Sequence, residues 1–212
     1  MVDFSFVKTG FIRKFLEATG MEHCNGLPTP TKVEAPLGTH DNCSDSKRYW
    51  PNSYASVIGM MLYLVTSTRP DISFAVHQCV WFTHNTKVSH ETVVRRICRY
   101  LQCTKDNGLV FNTSKKLVLG CYADADADFA GLWVYEDPQY PICARIRTEC
   151  VVTFSNFPLL WVSKLQADIA LSTLHSECVV LSHYVRALLL LNILIKEVID
   201  NLVIDSEKLK FL

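Results

Sequence analysis

The chain has 212 residues, of which 49% are apolar and 20% are charged, and 21 basic side chains balance 21 acidic ones. This composition excludes a disordered or collagen-like chain and allows one large domain or two small ones. A formal net charge of zero gives no global argument for nucleic-acid binding.

The first part of the chain predicts one short helix followed by a long irregular segment. Residues 11–19 form the helix, which ends before Gly20. Residues 25–52 contain four prolines together with several Asn, Asp and Ser, and each proline removes a hydrogen-bond donor from the backbone. We therefore expect residues 25–52 to be a linker or an extended loop.

Three helices are predicted over residues 53–104, because their apolar residues recur at spacings of three and four. Ser53 can cap the first of these helices, and Pro70 fits the first turn of the second. The three predicted spans are about 53–68, 70–84 and 89–102.

The third of these helices carries a basic stripe on its outer face. Arg95, Arg96 and Arg99 lie within little more than one turn of each other. Such a stripe can contact the phosphates of a nucleic acid. It can equally be an ordinary solvated helix face, and the sequence does not decide between the two.

After residue 107 the apolar spacing changes to the alternation that is typical of strands. The first two predicted strands form a hairpin across a turn near Ser114, and the other two flank a turn at residues 156–158. Residues 132–147 are predicted to be an irregular loop, and residues 168–200 a single long helix. The four predicted strands are residues 109–111, 117–123, 151–155 and 159–163.

The most apolar run, residues 187–195, is interrupted only by Asn192. A run of this length is too short to span a bilayer, which needs about 20 residues, so we interpret it as a buried helix face. The nine cysteines include no CxxC pair, and the first residues do not resemble a secretory leader, so reduced thiols are expected. These features predict a cytoplasmic or nuclear protein without a transmembrane segment or a membrane partner.

An acidic cluster directly follows the second predicted strand. Asp124, Asp126 and Asp128 alternate with alanines, so an extended backbone places them on one side at steps of about 7 Å. Their mutual repulsion is relieved if a divalent cation binds among them, or if the strand ends near Asp124 and the rest lies in solvent. Glu177, on the long helix, is either a solvated residue or a second ligand, because a strand-end aspartate and a helix glutamate can together hold Mg²⁺.

Several ordered motifs resemble those of Ty1/copia-type retrotransposon Pol polyproteins. The segments that are similar to the end of the reverse-transcriptase region are residues 53–59, 62–64, 68–72 and 96–104. Those that are similar to the adjoining RNase H domain are residues 122–131, 160–166, 170–173 and 176–177. The resemblance extends from about residue 3 to about residue 200.

The resemblance implies an α+β fold in two parts. Residues 1–107 would be the carboxy-terminal end of a reverse transcriptase, a helical thumb or connection segment that includes the linker and the three helices. Residues 108–212 would be a truncated RNase H-like domain, with a mixed sheet and one long helix. The paired polymerase aspartates of the family would precede this chain, and the remaining RNase H carboxylates would follow it.

The resemblance also implies a site at which two Mg²⁺ ions promote hydrolysis of RNA in RNA–DNA hybrids. Asp124 or Asp126 would be the first catalytic, metal-binding carboxylate and Glu177 the second. An additional Ala-Asp pair leaves the choice of aspartate ambiguous, and Asp124 is favoured because a loop absorbs an insertion readily. His175 and Cys178 depart from the glutamate and the aromatic residue that are common in the family.

Because the resemblance places the polymerase aspartates and the remaining RNase H carboxylates outside this chain, we expect no polymerase activity and little or no nuclease activity from the isolated chain. A sheet edge left unpaired and a half-covered apolar helix predict a tendency to self-associate. Two alternatives to an inherited RNase H role stay open. The chain is then either a non-catalytic nucleic-acid-binding or interaction module, or a gene relic without a function.

Overall fold

The computed structural model of the chain describes residues 3–31, 53–84, 86–112, 119–125, 147–154, 156–166 and 172–202, and for 119–125 it describes the backbone. Helices and strands are both present, so the α+β class is confirmed. The five helices of the described residues are α1 (Thr9–Ala18), α2 (Tyr54–Ser67), α3 (Ser73–Val80), α4 (Val88–Cys103) and α5 (Thr173–Leu202). The five strands are β1 (Asp3–Phe6), β2 (Leu109–Asn112), β3 (Leu119–Ala125), β4 (Arg147–Phe154) and β5 (Phe157–Leu165).

The chain divides into two compact units. One, the helical unit, contains Phe6–Leu109, and the other, the sheet unit, contains the described residues from Val110 onward together with the first residues of β1. The division falls close to the boundary that the sequence predicts at residue 107. The assignment of the two parts to a reverse transcriptase and an RNase H-like domain stays a prediction at this point.

The core of the helical unit is built from the inward faces of α1 to α4. Ser53 caps α2 as predicted, because its hydroxyl oxygen accepts a hydrogen bond from the backbone N–H of Ser56 at 3.3 Å. Gly20, with φ of 65°, follows the end of α1, in a backbone conformation that glycine adopts without strain. The fully buried side chains at the centre are Ile12, Val57, Met61, Leu64, Ile72, Val76, Cys79, Val94, Ile97, Cys98 and Leu101.

The second predicted helix is shorter than expected. A 3₁₀ turn, Pro70–Ile72, precedes α3, which ends at Val80 instead of residue 84. Beyond that point the backbone forms tighter turns, since the N–H of Thr83 and its hydroxyl both donate to the carbonyl oxygen of Val80. A threonine side chain that competes for a helix carbonyl in this way favours a helix end.

The predicted hairpin between residues 109–111 and 117–123 is wrong. β2 pairs with β1, a strand that the sequence did not predict, whereas β3 pairs with β4. Gly108 permits the close approach to β1, because a Cβ atom at this position would lie 2.2 Å from the carbonyl oxygen of Phe6.

The sheet unit contains a three-stranded sheet in the order β3-β4-β5, antiparallel at both pairings. The mixed sheet expected from the resemblance is therefore antiparallel in the strands that the structure describes. β4 and β5 form the predicted hairpin, with Asn156 at φ of 66° in its turn. The pairing shifts between Val152 and Thr153, and Thr153 lies opposite Pro158, which has no N–H to donate.

α5 covers one face of this sheet. Its buried Val180 and Tyr184 pack with Cys150 and Val152 of β4, and partly buried residues of β5 surround this small core. The helix begins at Thr173 because Ser172 caps it, with its hydroxyl oxygen accepting from the N–H of His175 at 3.1 Å. It therefore begins five residues later than residue 168, where the sequence predicts its start.

The short length of the apolar run does not by itself exclude a membrane span. The nine-residue apolar run lies inside a much longer helix. By length and composition alone, the segment Thr173–Val198 of this helix could cross a membrane. One face of the same helix packs on the sheet. The interpretation of residues 187–195 as a buried helix face is wrong, because Leu189, Leu190, Ile193 and Leu194 are each more than half exposed.

Candidate active site

The backbone of Asp124 lies near the end of β3, directly across from Glu149 of β4. Its neighbour Ala123 lies across from Cys150, which is buried against α5. Successive strand positions alternate between the two faces of a sheet. In the strand register, the position of Asp124 is therefore opposite Glu149, and the position of Ala123 is opposite the core residue Cys150.

Glu149 belongs to a polar group on β4 and β5 that the sequence analysis missed. Its Oε1 accepts a hydrogen bond from the hydroxyl of Ser163 at 2.8 Å, and Nη1 of Arg147 donates to the same hydroxyl oxygen at 3.3 Å. The predicted loop ends at residue 147 and the predicted strand begins at residue 151, so the sequence assigns Glu149 to neither. Extension of β4 to Arg147 is what makes it the acidic neighbour of Asp124 in the sheet.

Glu177 lies in the second turn of α5 and is exposed. It precedes Tyr184 by seven residues, which is about two helical turns, so it lies on the side of α5 that packs against the sheet. At the start of α5, Nε2 of Gln166 donates to the carbonyl oxygen of Ser176 at 3.4 Å and so connects the end of β5 to this turn. The structure therefore brings the helix of Glu177 to the sheet that contains Asp124.

The metal site predicted from Asp124, Asp126 and Glu177 is only partly inside the described structure. Asp126 lies outside the described residues, as does Asp128. Among the residues that are described, no three His, Cys, Asp or Glu side chains are grouped closely enough to hold a metal ion. Two carboxylates and their backbone oxygens are the kind of ligands that Mg²⁺ accepts, but two-metal phosphoryl chemistry uses more of them.

The predicted basic stripe on α4 has a structural role in the chain itself. Nη2 of Arg96 donates to Oγ1 of Thr29 at 2.7 Å, and Nε of Arg99 donates to the carbonyl oxygen of Asn25 at 2.7 Å. The N–H of Leu27 donates back to the carbonyl oxygen of Arg99. These bonds hold the beginning of the predicted linker along α4.

Arg95, the third member of the stripe, is exposed on α4. Two of the three predicted phosphate contacts, Arg96 and Arg99, are thus already hydrogen-bonded to oxygen atoms of the same chain.

The motif at residues 68–72, one of those that carry the resemblance, forms a buried ionic cluster in the helical unit. Arg69 is 1% exposed and donates to Asp71 from Nε at 2.9 Å and from Nη2 at 2.7 Å. Its Nη1 donates to the carbonyl oxygen of Thr104 at 2.9 Å. The hydroxyl of Tyr100 donates to Oδ2 of Asp71 at 2.7 Å. The cluster therefore fixes the turn after α2 to the end of α4.

This cluster holds Asp71 as a carboxylate. Burial works to raise the pKa of Asp71, but the hydrogen bonds from Arg69 and Tyr100 and the positive charge of Arg69 outweigh it, and the pKa lies below its ordinary value of 3.8. Burial, followed by the hydrogen bond to Asp71, raises the pKa of Tyr100. The charges of the cluster connect the turn after α2 to the end of α4. Asp124 and Glu177 belong to the other unit, so the cluster is not part of the predicted metal site.

None of the described cysteines forms a disulfide bond. Cys79 and Cys98 are buried in the helical core, and burial raises the pKa of the Cys79 thiol to about 12. Burial likewise raises the pKa of Cys98. Thiols of this kind behave as small apolar core residues.

The chain is similar to several curated proteins, three of which follow. It is 29% identical to the retrovirus-related Pol polyprotein from transposon RE2 of Arabidopsis thaliana over 163 residues, which are 76% of this chain and 10% of that protein. It is 30% identical to the retrovirus-related Pol polyprotein from transposon TNT 1-94 of Nicotiana tabacum over 178 residues, 79% of this chain and 12% of the polyprotein. It is 32% identical to secreted RxLR effector protein 161 of Plasmopara viticola over 129 residues, 61% of this chain and 84% of the effector.

The chain thus spans only 10% to 12% of the length of the Pol polyproteins that it matches. No family model matches the chain. No solved structure matches it either.

Proposed function

The chain belongs to the family of retrovirus-related Pol polyproteins from copia-type transposons, and we propose that it contains the end of a reverse transcriptase and the first part of an RNase H-like domain. Its inherited role is the hydrolysis of RNA in RNA–DNA hybrids, with Mg²⁺ as the cofactor. We expect the isolated chain not to perform this hydrolysis on its own.

One observation carries this proposal: a three-stranded antiparallel sheet with a long helix packed on it follows a helical unit. The helix brings Glu177 to the sheet in which β3 contains Asp124. The described residues of the motifs that resemble an RNase H domain lie on β3, along and just after β5, and at the start of α5. Those of the motifs that resemble the end of a reverse transcriptase lie on α2, in the following turn and at the end of α4.

Inactivity follows from the number and placement of the acids. The backbone of Asp124 lies across from that of Glu149 on β4, and Glu177 lies in the second turn of α5. Among the described residues, no group of three His, Cys, Asp or Glu side chains could hold a metal ion. Two ions that share a substrate phosphate need more anionic oxygens than this to stay bound together.

The test is cleavage of an RNA–DNA hybrid, labelled on its RNA strand, by the full chain in Mg²⁺. We expect the same background for the chain and for its Asp124→Asn and Glu177→Gln variants. Glu17→Gln, an exposed residue of α1, is the matched control. Magnesium-dependent cleavage that both site variants abolish and the control retains would refute the inactivity and establish an active nuclease.

A second candidate, a non-catalytic binding module, is favoured by one comparison. The chain spans 84% of the length of the effector protein, so a related segment occurs as most of a separate protein. For hybrid binding, anisotropy measured between 50 and 200 mM salt would show affinity falling steeply as phosphate contacts are screened.

The variant chosen for this test matters. A combined change of Arg95, Arg96 and Arg99 would also release the segment held along α4, whereas Arg95→Ala leaves those bonds intact. Loss of affinity in Arg95→Ala, and not in the exposed Arg13→Ala, supports the binding module. Equal affinity in both variants rejects the α4 stripe as its contact surface.

A further inference from the structure

The side of α5 that points away from the sheet is apolar and exposed. Ile193 follows the buried Tyr184 by nine residues, which is two and a half helical turns, so the two lie about 180° apart around the helix axis. Four large side chains on this side expose 55% to 65% of their surface. We call them the outward face of α5: Leu189, Leu190, Ile193 and Leu194.

Two opposite charges flank the outward face. Arg186 and Glu197 are exposed and 11 residues apart, about three turns and 16 Å along the axis, so they lie on the same side of the helix. One precedes and one follows the four apolar residues. The face therefore has a positive end, an apolar centre and a negative end.

The order of these residues is self-complementary. A two-fold axis that passes between residues 191 and 192 relates Arg186 to Glu197, Leu189 to Leu194, and Leu190 to Ile193. In an antiparallel pair of helices each of these residues therefore lies opposite the residue of the second copy to which the axis relates it. A parallel pair would instead bring equal charges together.

We propose that the outward face of α5 binds the same face of a second copy of this chain, as an antiparallel helix pair. Leu189 and Leu190 of each copy pack against Leu194 and Ile193 of the other. Arg186 of each copy forms an ion pair with Glu197 of the other, at both ends of the apolar contact.

The charges favour a second copy over a lipid bilayer as the occupant. In a bilayer the charged side chains of Arg186 and Glu197 would have to leave water beside apolar residues, which is costly. In the antiparallel pair the same two residues lie opposite each other and remain at the rim. The four apolar residues expose on the order of 400 Å² per copy, about half of the ~800 Å² per partner that is typical of a stable interface, so we expect a weak dimer.

Charge exchange tests this arrangement by sedimentation equilibrium of the full chain over a range of concentrations. Arg186→Glu and Glu197→Arg each place equal charges opposite each other, and we expect each to weaken dimerisation at least tenfold. The double variant, which restores opposite charges, should regain affinity to within about threefold of the unchanged chain. All of these positions are exposed, and Lys14→Glu on α1 is the control for charge reversal at a distant site.

Three outcomes would overturn the proposal. A chain that is monomeric at every concentration has no such interface. A dimer that both single reversals leave unchanged associates elsewhere, for example through an unpaired sheet edge. Partition of the chain into neutral phosphatidylcholine vesicles, with no dimer in their absence, identifies lipid as the occupant.

Discussion

Replacement of Arg69 by methionine tests whether the ionic cluster stabilises the helical unit. Methionine keeps most of the side-chain length and removes every donor, so Asp71 loses its ion pair and keeps the hydrogen bond from Tyr100, while the carbonyl oxygen of Thr104 loses its donor. Removal of one member of a buried ion pair costs about 3–5 kcal/mol, because the other charge stays desolvated. Asp71 keeps 38% of its side chain exposed and can be partly hydrated, so we expect the lower end, about 3 kcal/mol.

A loss of this size is large against the ~5–15 kcal/mol that stabilise a typical domain. With a denaturant dependence of about 1–3 kcal/mol per molar urea, the unfolding midpoint should fall by at least about 1 M. Hydrogen exchange should place the loss in peptides from α2 and α4 and leave those from α5 unchanged, because the cluster lies in the helical unit.

Arg13→Met is the matched control, since Arg13 is exposed on α1 in the same unit. We expect it to change the midpoint by less than a quarter of the Arg69→Met effect. If the two variants lose equal stability, or if Arg69→Met loses less than about 1 kcal/mol, the cluster does not stabilise the fold as argued.

Three further predictions concern pH, thiols and backbone packing. Because folding lowers the pKa of Asp71, its ionised carboxylate stabilises the fold above the pKa of the unfolded chain, near pH 4, and this stabilisation is lost as the pH falls through the pKa of the folded chain. The urea midpoints of the chain and of Asp71→Asn should therefore converge on acidification from pH 5 to pH 3. Exposed Cys103 and Cys178 should react with a maleimide at pH 7 within minutes, whereas Cys79 and Cys98 should react only on unfolding, as peptide mass spectrometry would show. Gly108→Ala should destabilise the pairing of β1 with β2 by about 1–3 kcal/mol, since its Cβ would clash with the carbonyl oxygen of Phe6, and unchanged exchange protection of β2 amides would contradict this.

Local signals in the sequence predicted most of the helices. Ser53 caps α2, the third predicted helix matches α4 to within one residue at each end, and α5 has the expected apolar periodicity. Each of these depends on residues within a few positions of one another. Side-chain spacing and capping are sufficient to specify such elements.

Local sequence patterns could not predict the interactions between residues that are far apart in the chain. The partner of β2 is β1, about 100 residues earlier, and no local pattern distinguishes it from the neighbouring β3. The oxygens that Arg96 and Arg99 bind lie 67 and 74 residues away, so a stripe typical of phosphate binding was indistinguishable from one that holds the chain's own backbone. Register across β3 and β4 likewise decides which acid is the neighbour of Asp124.

The described residues form a much larger buried cluster in the helical unit than in the sheet unit, and this difference leads to a final prediction. Among the described residues, 18 buried side chains form the helical core and four form the core of the sheet unit. A small core leaves the sheet unit dependent on further apolar burial, and pairing of α5 with a second copy would add it. Hydrogen-exchange protection of residues 147–202 should therefore rise with protein concentration, while that of α2 and α4 stays constant. Arg186→Glu should remove the concentration dependence. A rise in protection that persists in this variant would show that pairing of α5 does not stabilise the sheet unit.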